Sequence, residues 1–369
     1  MNKEHFPIFL VATPGLENAL CAEAHACGFT DPRPVFGGVE FFGGWRDVWR
    51  ANFALRGAGR VLVRIASFRV SHLAQLDKRA RAVDWDEVLR KDVPVRVEAS
   101  CRKSKIYHSG AAAERVEKAI QQTFGAPIEA GAAVRVLVRI DSDVCTISLD
   151  TSGEGLHRRG HKLEVNKAPM RETMAALLLR ECGYLGTEPV LDPMCGSGTL
   201  IIEAAEIALG LEPGRTRSFA FEQLANFDPD EWATIKQPTS NKTTDLRFYG
   251  SDRDGGAARM SLANAERAGV SSVTRFAQIP IDKLERPEGP SGLVIVNPPY
   301  GGRIGDRKKL FPLYGALGQI LKSQFSGWRV GMVTSDKALA QATGLPFKSS
   351  PSIDNNGIRV SLYQTDCLG

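Results

Sequence analysis

Hydrophobic segments of strand length alternate with amphipathic segments of helical period through the second half of the chain. The predicted strands cover residues 189–192, 246–252, 273–276, 293–297, 329–335 and 358–364, and the predicted helices cover residues 199–209, 256–268 and 310–325. A further helix is predicted from Glu164 to Gly183, with Pro169 in its first turn. This alternation is typical of a doubly wound, mostly parallel sheet. Residues 210–242 interrupt it and are interpreted as an insertion.

The first part of the chain has shorter elements that are separated by Gly and Pro. Strands are predicted at residues 9–12 and 39–42, and helices at residues 15–28 and 47–54. These elements predict one small α/β segment that ends near residue 55.

A second segment begins with an alternating strand at residues 60–68. It continues with a strand at 93–99, a helix at 110–124 with Ser109 as its N-cap, and a hairpin of strands 134–141 and 143–150. A length of 369 residues favours two or three domains. We therefore expect an N-terminal segment at residues 1–55, a second domain at 56–155 and a C-terminal domain at 156–369.

Composition places the chain among ordinary globular proteins, with 43% hydrophobic and 24% charged residues. No apolar stretch approaches the roughly 18 residues that a membrane span needs. Residues 1–10 lack the basic, apolar and cleavage regions of a secretion signal, so the cytoplasm is the expected location. The seven cysteines contain no Cys-x-x-Cys pair, which favours neither a zinc site nor a disulfide framework.

Positive charge is concentrated in one region of the sequence. The whole chain carries a formal net charge of +5, but residues 56–105 alone contain thirteen Lys or Arg and only six Asp or Glu. A basic surface there would attract the phosphates of a nucleic acid. The alternative interpretation is an Arg-rich surface that is merely solvated.

The first strand of the C-terminal domain runs into Asp192 and a Gly-rich turn that contains Gly196 and Gly198. In an open α/β sheet such a turn lies at the carboxyl ends of the strands, where ligands bind. It lacks the Gly-Lys-Ser/Thr ending of a phosphate loop, and Asp192 would repel a phosphate. An acid there suits a cationic amino group instead. The alternative is a glycine-rich structural turn.

Two further strand ends carry polar residues. Asp252 follows the second strand, where an acid can accept hydrogen bonds from ribose hydroxyls, and Asp254 is the alternative. Either acid could instead cap the next helix.

The fourth strand ends in Asn-Pro-Pro-Tyr at residues 297–300, which presents acceptors but no proline N–H. Such acceptors can orient a planar NH₂ group, and Tyr300 can stack on its ring.

These strand ends resemble those of class I S-adenosylmethionine-dependent methyltransferases of the Asn-Pro-Pro-Tyr type. Further motifs are similar to those of the bacterial 23S ribosomal RNA guanine-N2 methyltransferase family. They lie at residues 12–17, 104–110, 114–116, 155–160, 168–173, 213–215, 218–222 and 356–357. The resemblance covers essentially the whole chain. It implies a Rossmann-like catalytic domain with a mostly parallel seven-stranded sheet, preceded by ferredoxin-like and THUMP RNA-binding domains.

The resemblance also implies roles for individual residues. The catalytic candidates are Asn297, Pro298 and Tyr300. The candidates for contact with S-adenosylmethionine, and with its product S-adenosylhomocysteine, are Asp192, Pro193, Cys195, Gly196, Gly198, Thr199, Asp252, Arg253, Gln278 and Asn297. The candidates for RNA contact are Arg102, Lys103, Lys105, Arg158 and Arg159. One departure concerns adenine recognition, because Pro280 stands near the position where the family usually has an acid.

The expected function is transfer of a methyl group to guanine N2 in 23S ribosomal RNA, by a monomer that needs no metal. A transfer RNA guanine, a nucleic-acid adenine N6 and a protein glutamine amide also present a planar NH₂. The basic second segment argues against the glutamine. A non-catalytic RNA-binding or ribosome-assembly protein is a further alternative, although such a protein would be expected to lose Asp192 or Asn297.

Overall fold

A computed structural model describes residues 5–163, 170–237, 242–300, 307–349, 352–355 and 357–369. The chain forms two compact units. The first consists of Met1–Ala12, Cys21–Leu156 and Pro213–Gln237, and the second of Thr13–Leu20, His157–Glu212 and Pro238–Gly369. The helices are α1 Glu17–Ala26, α2 Trp45–Ala54, α3 Leu73–Arg81, α4 Ser109–Thr123, α5 Glu172–Glu181, α6 Thr199–Leu209, α7 Pro229–Ile235, α8 Gly255–Ala268, α9 Arg307–Gln324 and α10 Lys337–Ala342.

One seven-stranded sheet, in the order β2-β3-β1-β4-β7-β6-β5, crosses the first unit. Its strands are β1 Phe6–Val11, β2 Arg33–Val35, β3 Gly38–Gly43, β4 Arg60–Arg69, β5 Val95–Arg102, β6 Val134–Asp141 and β7 Val144–Asp150. The β5–β6 pair is parallel and the other pairs are antiparallel. Because β4 pairs with both β1 and β7, the sheet continues across residue 55, where the first boundary was expected.

Several details of the first unit differ from the prediction, which included neither strand β2 nor helix α7. The N-cap of α4 is His108 rather than Ser109, since His108 Nδ1 accepts a hydrogen bond from the Ala111 amide at 3.1 Å. Helix α3 was also not predicted; it is strongly polar and buries only Leu76 and Ala80.

The second unit contains the doubly wound sheet that the alternation predicted, in the order β10-β9-β8-β11-β12-β15-β13, with β14 paired to β15. Its strands are β8 Val190–Asp192, β9 Phe248–Asp252, β10 Thr274–Gln278, β11 Leu293–Val296, β12 Arg329–Thr334, β13 Lys348–Ser349, β14 Ile353–Asn355 and β15 Ile358–Gln364. Strands β8 to β12 pair in parallel, whereas β15 runs antiparallel to β12. The order reverses between β8 and β11, and this is where open α/β sheets bind ligands.

Some predicted bounds of the second unit coincide with the observed ones. Helix α6 and strand β15 have their predicted limits, whereas α10, β13 and β14 were not predicted. The helix expected from Glu164 begins at Glu172, and residues 164–169, with Pro169, lie outside the described residues.

Residues 213–237, part of the predicted insertion, belong to the first unit. Their Phe221 and Trp232 rings lie 5.0 Å apart between centroids, and Phe221 stacks on Trp49 of α2 at 6.0 Å. Aromatic burial of this kind fixes the segment on α2. Within the part of the chain that the structure describes, no helix combines the length and apolarity needed to cross a membrane.

Candidate active site

The Gly-rich turn after β8 has backbone dihedral angles that favour glycine at two positions. Gly196 and Gly198 have φ values of +55° and +81°, in the left-handed region where a side chain is strained. The Gly198 amide donates to the Cys195 carbonyl at 2.8 Å, and Gly198 is the N-cap of α6. An added Cβ at Gly196 would meet no atom within 4 Å. The turn therefore leaves open space beside Gly196.

Helix α8 stabilises the same turn through two side-chain hydrogen bonds. Ser261 Oγ donates to the Gly196 carbonyl at 2.9 Å, and Asn264 Nδ2 donates to the Ser197 carbonyl at 3.1 Å. Both side chains are fully buried. A Cβ at Gly198 would lie 3.0 Å from Ser261 Cβ, so a side chain there would push against Ser261. Sequence reasoning missed both residues, and the only available signal was two polar residues within the predicted helix 256–268.

Asp252 connects the end of β9 to the turn. Its Oδ2 accepts a hydrogen bond from the Gly196 amide at 3.1 Å, and its Oδ1 accepts one from the Asp254 amide at 3.0 Å. Asp254 caps α8 by accepting from the Gly256 amide at 2.9 Å. The two acids therefore have different structural roles, and the capping role falls to Asp254.

Asp192, the last residue of β8, is a buried carboxyl group. Its Oδ1 accepts a hydrogen bond from the Met194 amide at 3.0 Å. Burial raises the pKa of Asp192 to about 8, the Met194 amide opposes this rise, and nearby Asp252 adds to it. The carboxyl is therefore mostly protonated at neutral pH until a cationic group approaches and favours its charged form.

The other predicted turn residues build the loop. Pro193 and Cys195 are buried, and the Cys195 amide donates to the Ser251 carbonyl at 2.9 Å. Burial raises the pKa of the Cys195 thiol, whose sulfur lies 3.7 Å from Ser261 Oγ. Thr199 begins α6, with its hydroxyl 3.4 Å from that of Ser197. These contacts hold the turn together.

Gln278 and Arg253 lie at the neighbouring strand end. Gln278 ends β10 opposite Asp252, and its Nε2 donates to the Arg253 carbonyl at 3.0 Å. Both side chains are exposed. Pro280 caps a short 3₁₀ turn at Ile281–Lys283.

The Asn-Pro-Pro-Tyr turn follows β11, which pairs with β8 on one side and β12 on the other. The Pro299 carbonyl accepts a hydrogen bond from the Tyr314 hydroxyl at 3.2 Å, which ties the turn to α9. The Tyr300 hydroxyl accepts one from Asn355 Nδ2 at 3.3 Å. Asn297 Oδ1 is buried and has no hydrogen-bond partner among the described residues. Buried acceptors are normally paired, so this oxygen is available to a ligand donor.

In the first unit, the loop that starts at Arg102, the last residue of β5, and leads to α4 exposes Arg102, Lys103 and Lys105. Backbone hydrogen bonds fix this loop, because the Lys105 amide donates to Asp143 Oδ1 at 2.7 Å and the Ser142 amide donates to the Arg102 carbonyl at 3.1 Å. Tyr107 on the same loop is 85% exposed and was not singled out from the sequence. The loop therefore presents three cationic groups and one aromatic ring to solvent.

Arg158 and Arg159 have different surroundings in the second unit. Arg158 is exposed, whereas Arg159 is 2% exposed and its Nη2 lies 3.5 Å from Oε1 of buried Glu203. The guanidinium of Arg159 neutralises a buried carboxylate and has no surface left for a phosphate. The burial of Arg159 therefore does not favour the RNA contact that was predicted for it, and the irregular segment 151–160 carried no periodicity from which this burial could be predicted.

Family models match three consecutive parts of the chain. The RlmL ferredoxin-like domain matches residues 7–62, the THUMP domain matches residues 70–150, and the RMKL-like methyltransferase domain matches residues 159–358. The last model covers more than half of the chain.

The chain belongs to the RMKL-like methyltransferase family. This confirms the family resemblance inferred from the motifs and the fold that it implied. The match to the RMKL-like methyltransferase domain includes every strand end described above, from Asp192 to Tyr300.

Relatives of this RMKL-like chain include the ribosomal RNA large subunit methyltransferase K/L of Aliivibrio salmonicida, which is 37% identical over 344 residues, 89% of this chain and 49% of the relative. The chain thus spans about half the length of the curated relatives it matches.

Two crystal structures are also similar. SMU.472, crystallised in complex with SAH, has a TM-score of 0.90 at 28% identity, and the match covers 100% of this chain and 99% of that chain. A protein described as an N6-adenine-specific DNA methylase, from Listeria monocytogenes, has a TM-score of 0.88 at 31% identity, with 98% and 96% covered.

Proposed function

We propose that this chain transfers a methyl group from S-adenosylmethionine to the exocyclic N2 of a guanine in large-subunit ribosomal RNA. The observation that carries the proposal is Asn297 Oδ1, a buried acceptor without a hydrogen-bond partner among the described residues, at the strand end beside β8. A planar NH₂ group supplies the donor that this oxygen lacks.

The residues around the Gly-rich turn fit S-adenosylmethionine. Gly196 leaves open space against its backbone, so a ligand can approach the main chain. The buried Asp192 carboxyl suits the ligand's amino group, and Asp252 lies at the next strand end, where an acid accepts hydrogen bonds from ribose hydroxyls. When bound, S-adenosylmethionine supplies an electrophilic sulfonium methyl group.

The guanine would be positioned for methyl transfer by Asn297, Pro298 and Tyr300. The lone pair of a guanine N2 is delocalised into the ring, so this nitrogen is a poor nucleophile. Asn297 Oδ1 and the Pro298 carbonyl would hold its two hydrogens and direct the remaining electron density towards the methyl group. Tyr300 would stack on the base and keep it in that plane. Catalysis of this kind consists of positioning and electrostatics.

An RNA substrate is supported by the THUMP match and by the exposed basic loop of the first unit. The curated relatives, named ribosomal RNA large subunit methyltransferase K/L, support ribosomal RNA in particular. We assign RNA binding to residues 56–155 and methyl transfer to residues 156–369, following an N-terminal segment at 1–55, and we place the reaction in the cytoplasm.

The test uses ribosomal RNA from a strain that lacks this protein, incubated with the purified chain and methyl-labelled S-adenosylmethionine. After nuclease digestion, mass spectrometry should find the label in N2-methylguanosine. Label in N6-methyladenosine would overturn the acceptor while keeping the cofactor site. RNA that stays unlabelled would overturn the proposed activity.

Replacing Arg102, Lys103 and Lys105 together by Ala should weaken RNA binding and flatten its salt dependence. If all three neutralise phosphates, the slope of log affinity against log salt should fall by about 2 to 3. The control variant replaces Arg33, Arg90 and Lys118, which already pair with Asp31, Asp92 and Glu114. It removes the same amount of positive charge. Equal effects of the two triple variants in a salt titration would mean that the loop is a solvated surface and does not contact RNA.

Binding of S-adenosylmethionine should release protons near neutral pH. The free Asp192 carboxyl, with its pKa at about 8, is mostly protonated at pH 7, and an ammonium group beside it would lower that pKa. Titration calorimetry at pH 7 in buffers of different ionisation enthalpy should give somewhat less than one proton released per bound cofactor. Asp192→Asn should abolish the release. A binding enthalpy that is independent of the buffer would mean that Asp192 does not face the ammonium group.

A further inference from the structure

The N-terminal motif at residues 12–17 forms a turn that precedes α1. Gly15 has a φ of +95°, and its amide donates to Glu17 Oε2 at 2.8 Å. The Leu16 amide donates to the Thr13 carbonyl at 3.0 Å. Although it comes near the start of the chain, Thr13–Leu20 belongs to the second unit, together with the methyltransferase sheet.

This turn contacts strand β14 through the backbone. The Pro14 carbonyl accepts a hydrogen bond from the Asp354 amide at 2.9 Å. A Cβ on Gly15 would lie 2.3 Å from the Ser352 carbonyl oxygen, a separation that side chains do not adopt. Gly15 is thus required both by its φ and by the approach of β14. The turn fixes the position of β14.

Strand β14 in turn carries a side chain to the Asn-Pro-Pro-Tyr turn. It pairs with β15, and Asp354 Oδ1 accepts a hydrogen bond from the Gly357 amide at 2.7 Å, which closes the hairpin. Asn355 is the last residue of β14, and its Nδ2 donates to the Tyr300 hydroxyl at 3.3 Å. Asn356, the other residue of the 356–357 motif, lies outside the described residues.

We propose that Asn355 is a positioning residue for Tyr300, and that the turn at Pro14 and Gly15 holds Asn355 in place. This inference rests on the proposed methyl transfer, in which Tyr300 stacks on the target base. A tyrosine side chain can swing about its Cα–Cβ bond, whereas a hydrogen bond at the hydroxyl holds that end of the ring at one place. Asn355 therefore sets the position of the ring against which the base stacks.

Asn355→Ala should lower kcat for RNA methylation by about 2- to 12-fold, the range that one neutral hydrogen bond covers. The affinity for S-adenosylmethionine should stay unchanged, because the contact lies at the acceptor side. A second measurement separates positioning of Tyr300 from a merely structural role of Asn355, which would not predict its result. In a Tyr300→Phe background, where the hydroxyl is absent, Asn355→Ala should cause no further loss of kcat. Arg359→Ala, an exposed position on the same hairpin, serves as the control and should leave kcat unchanged.

Gly15→Ala tests the turn itself. The new methyl group would displace β14, so kcat should fall as in Asn355→Ala, again with unchanged cofactor affinity and without additivity with Tyr300→Phe. Gly28→Ala is the control, because Gly28 also has a positive φ but its Cβ would meet open space. An active wild type with additive losses in the Tyr300→Phe background, or with no loss in Asn355→Ala, would overturn the inference. An inactive wild type would instead overturn the proposed function.

Discussion

Asn297→Ala is expected to lower the rate of methyl transfer to ribosomal RNA by about 10²- to 10³-fold, the usual cost of removing one preorganised polar contact from a desolvated site. The affinity for S-adenosylmethionine should stay within a few-fold. Asn297 Oδ1 is buried and lacks a hydrogen-bond partner among the described residues, so it is preorganised for a donor that arrives with the substrate. Its loss therefore affects the reacting nitrogen more than cofactor binding.

The matched control is Asn226→Ala. Asn226, in the segment 213–237, also has buried amide atoms without a hydrogen-bond partner among the described residues, but it belongs to the first unit. Its removal should leave the rate unchanged. Asn297→Asp keeps an acceptor oxygen at the same place and should retain more activity than Asn297→Ala.

Single-turnover measurements with saturating S-adenosylmethionine separate the two effects, since they report methyl transfer without the binding step. A rate for Asn297→Ala within a few-fold of wild type would remove Asn297 from the reacting centre. A loss of cofactor affinity equal to the loss of rate would place this side chain in the cofactor site instead.

The centre of the second unit could be predicted well from the sequence because strands β8 and β11 are buried on both faces and stop at or next to polar residues. Val190–Asp192 and Leu293–Val296 are fully buried runs that stop abruptly, at Asp192 and before Asn297. Since the carboxyl ends of parallel strands meet at one edge, the sequence places these two residues and Asp252 at the same edge. The structure brings all three strands together as neighbours.

Features that depend on distant contacts could not be predicted. Nothing local indicates that Ser261 and Asn264 brace the Gly-rich turn, because each is an ordinary polar residue until α8 packs behind that turn. Strands β13 and β14 have only two and three residues, which is too short for a period to show. The segment 213–237 belongs to the first unit through aromatic contacts with α2, which lies far away in sequence.

Arg159 illustrates the same limit for charge. In the sequence it stands beside Arg158 in a basic cluster, and both suggest RNA contact. Only the fold separates them, by burying Arg159 against Glu203. A count of charges along a sequence therefore overstates the surface that a phosphate can reach.

Gly198→Val is expected to abolish detectable binding of S-adenosylmethionine while the protein stays folded. A side chain at φ +81° is strained by about 1 to 2 kcal/mol. Its Cβ would also lie 3.0 Å from Ser261 Cβ and 3.2 Å from the Phe276 ring. Relief of these contacts must move Ser261, whose hydroxyl holds the Gly196 carbonyl, and the Gly196 amide is held in turn by Asp252. The substitution therefore distorts the part of the turn that leaves open space for the ligand.

Gly269→Val separates this local effect from backbone strain. Gly269 ends α8 with a φ of +76°, and a Cβ there would meet no atom within 4 Å, so the variant carries a similar strain without the clash. Both variants should keep the circular dichroism spectrum of the wild type and lose some thermal stability. Titration calorimetry with S-adenosylhomocysteine should detect binding to Gly269→Val and none to Gly198→Val. Wild-type affinity in a folded Gly198→Val protein would mean that the turn does not contact the ligand, because the displaced Ser261 and Gly196 would then have left the binding surface unchanged.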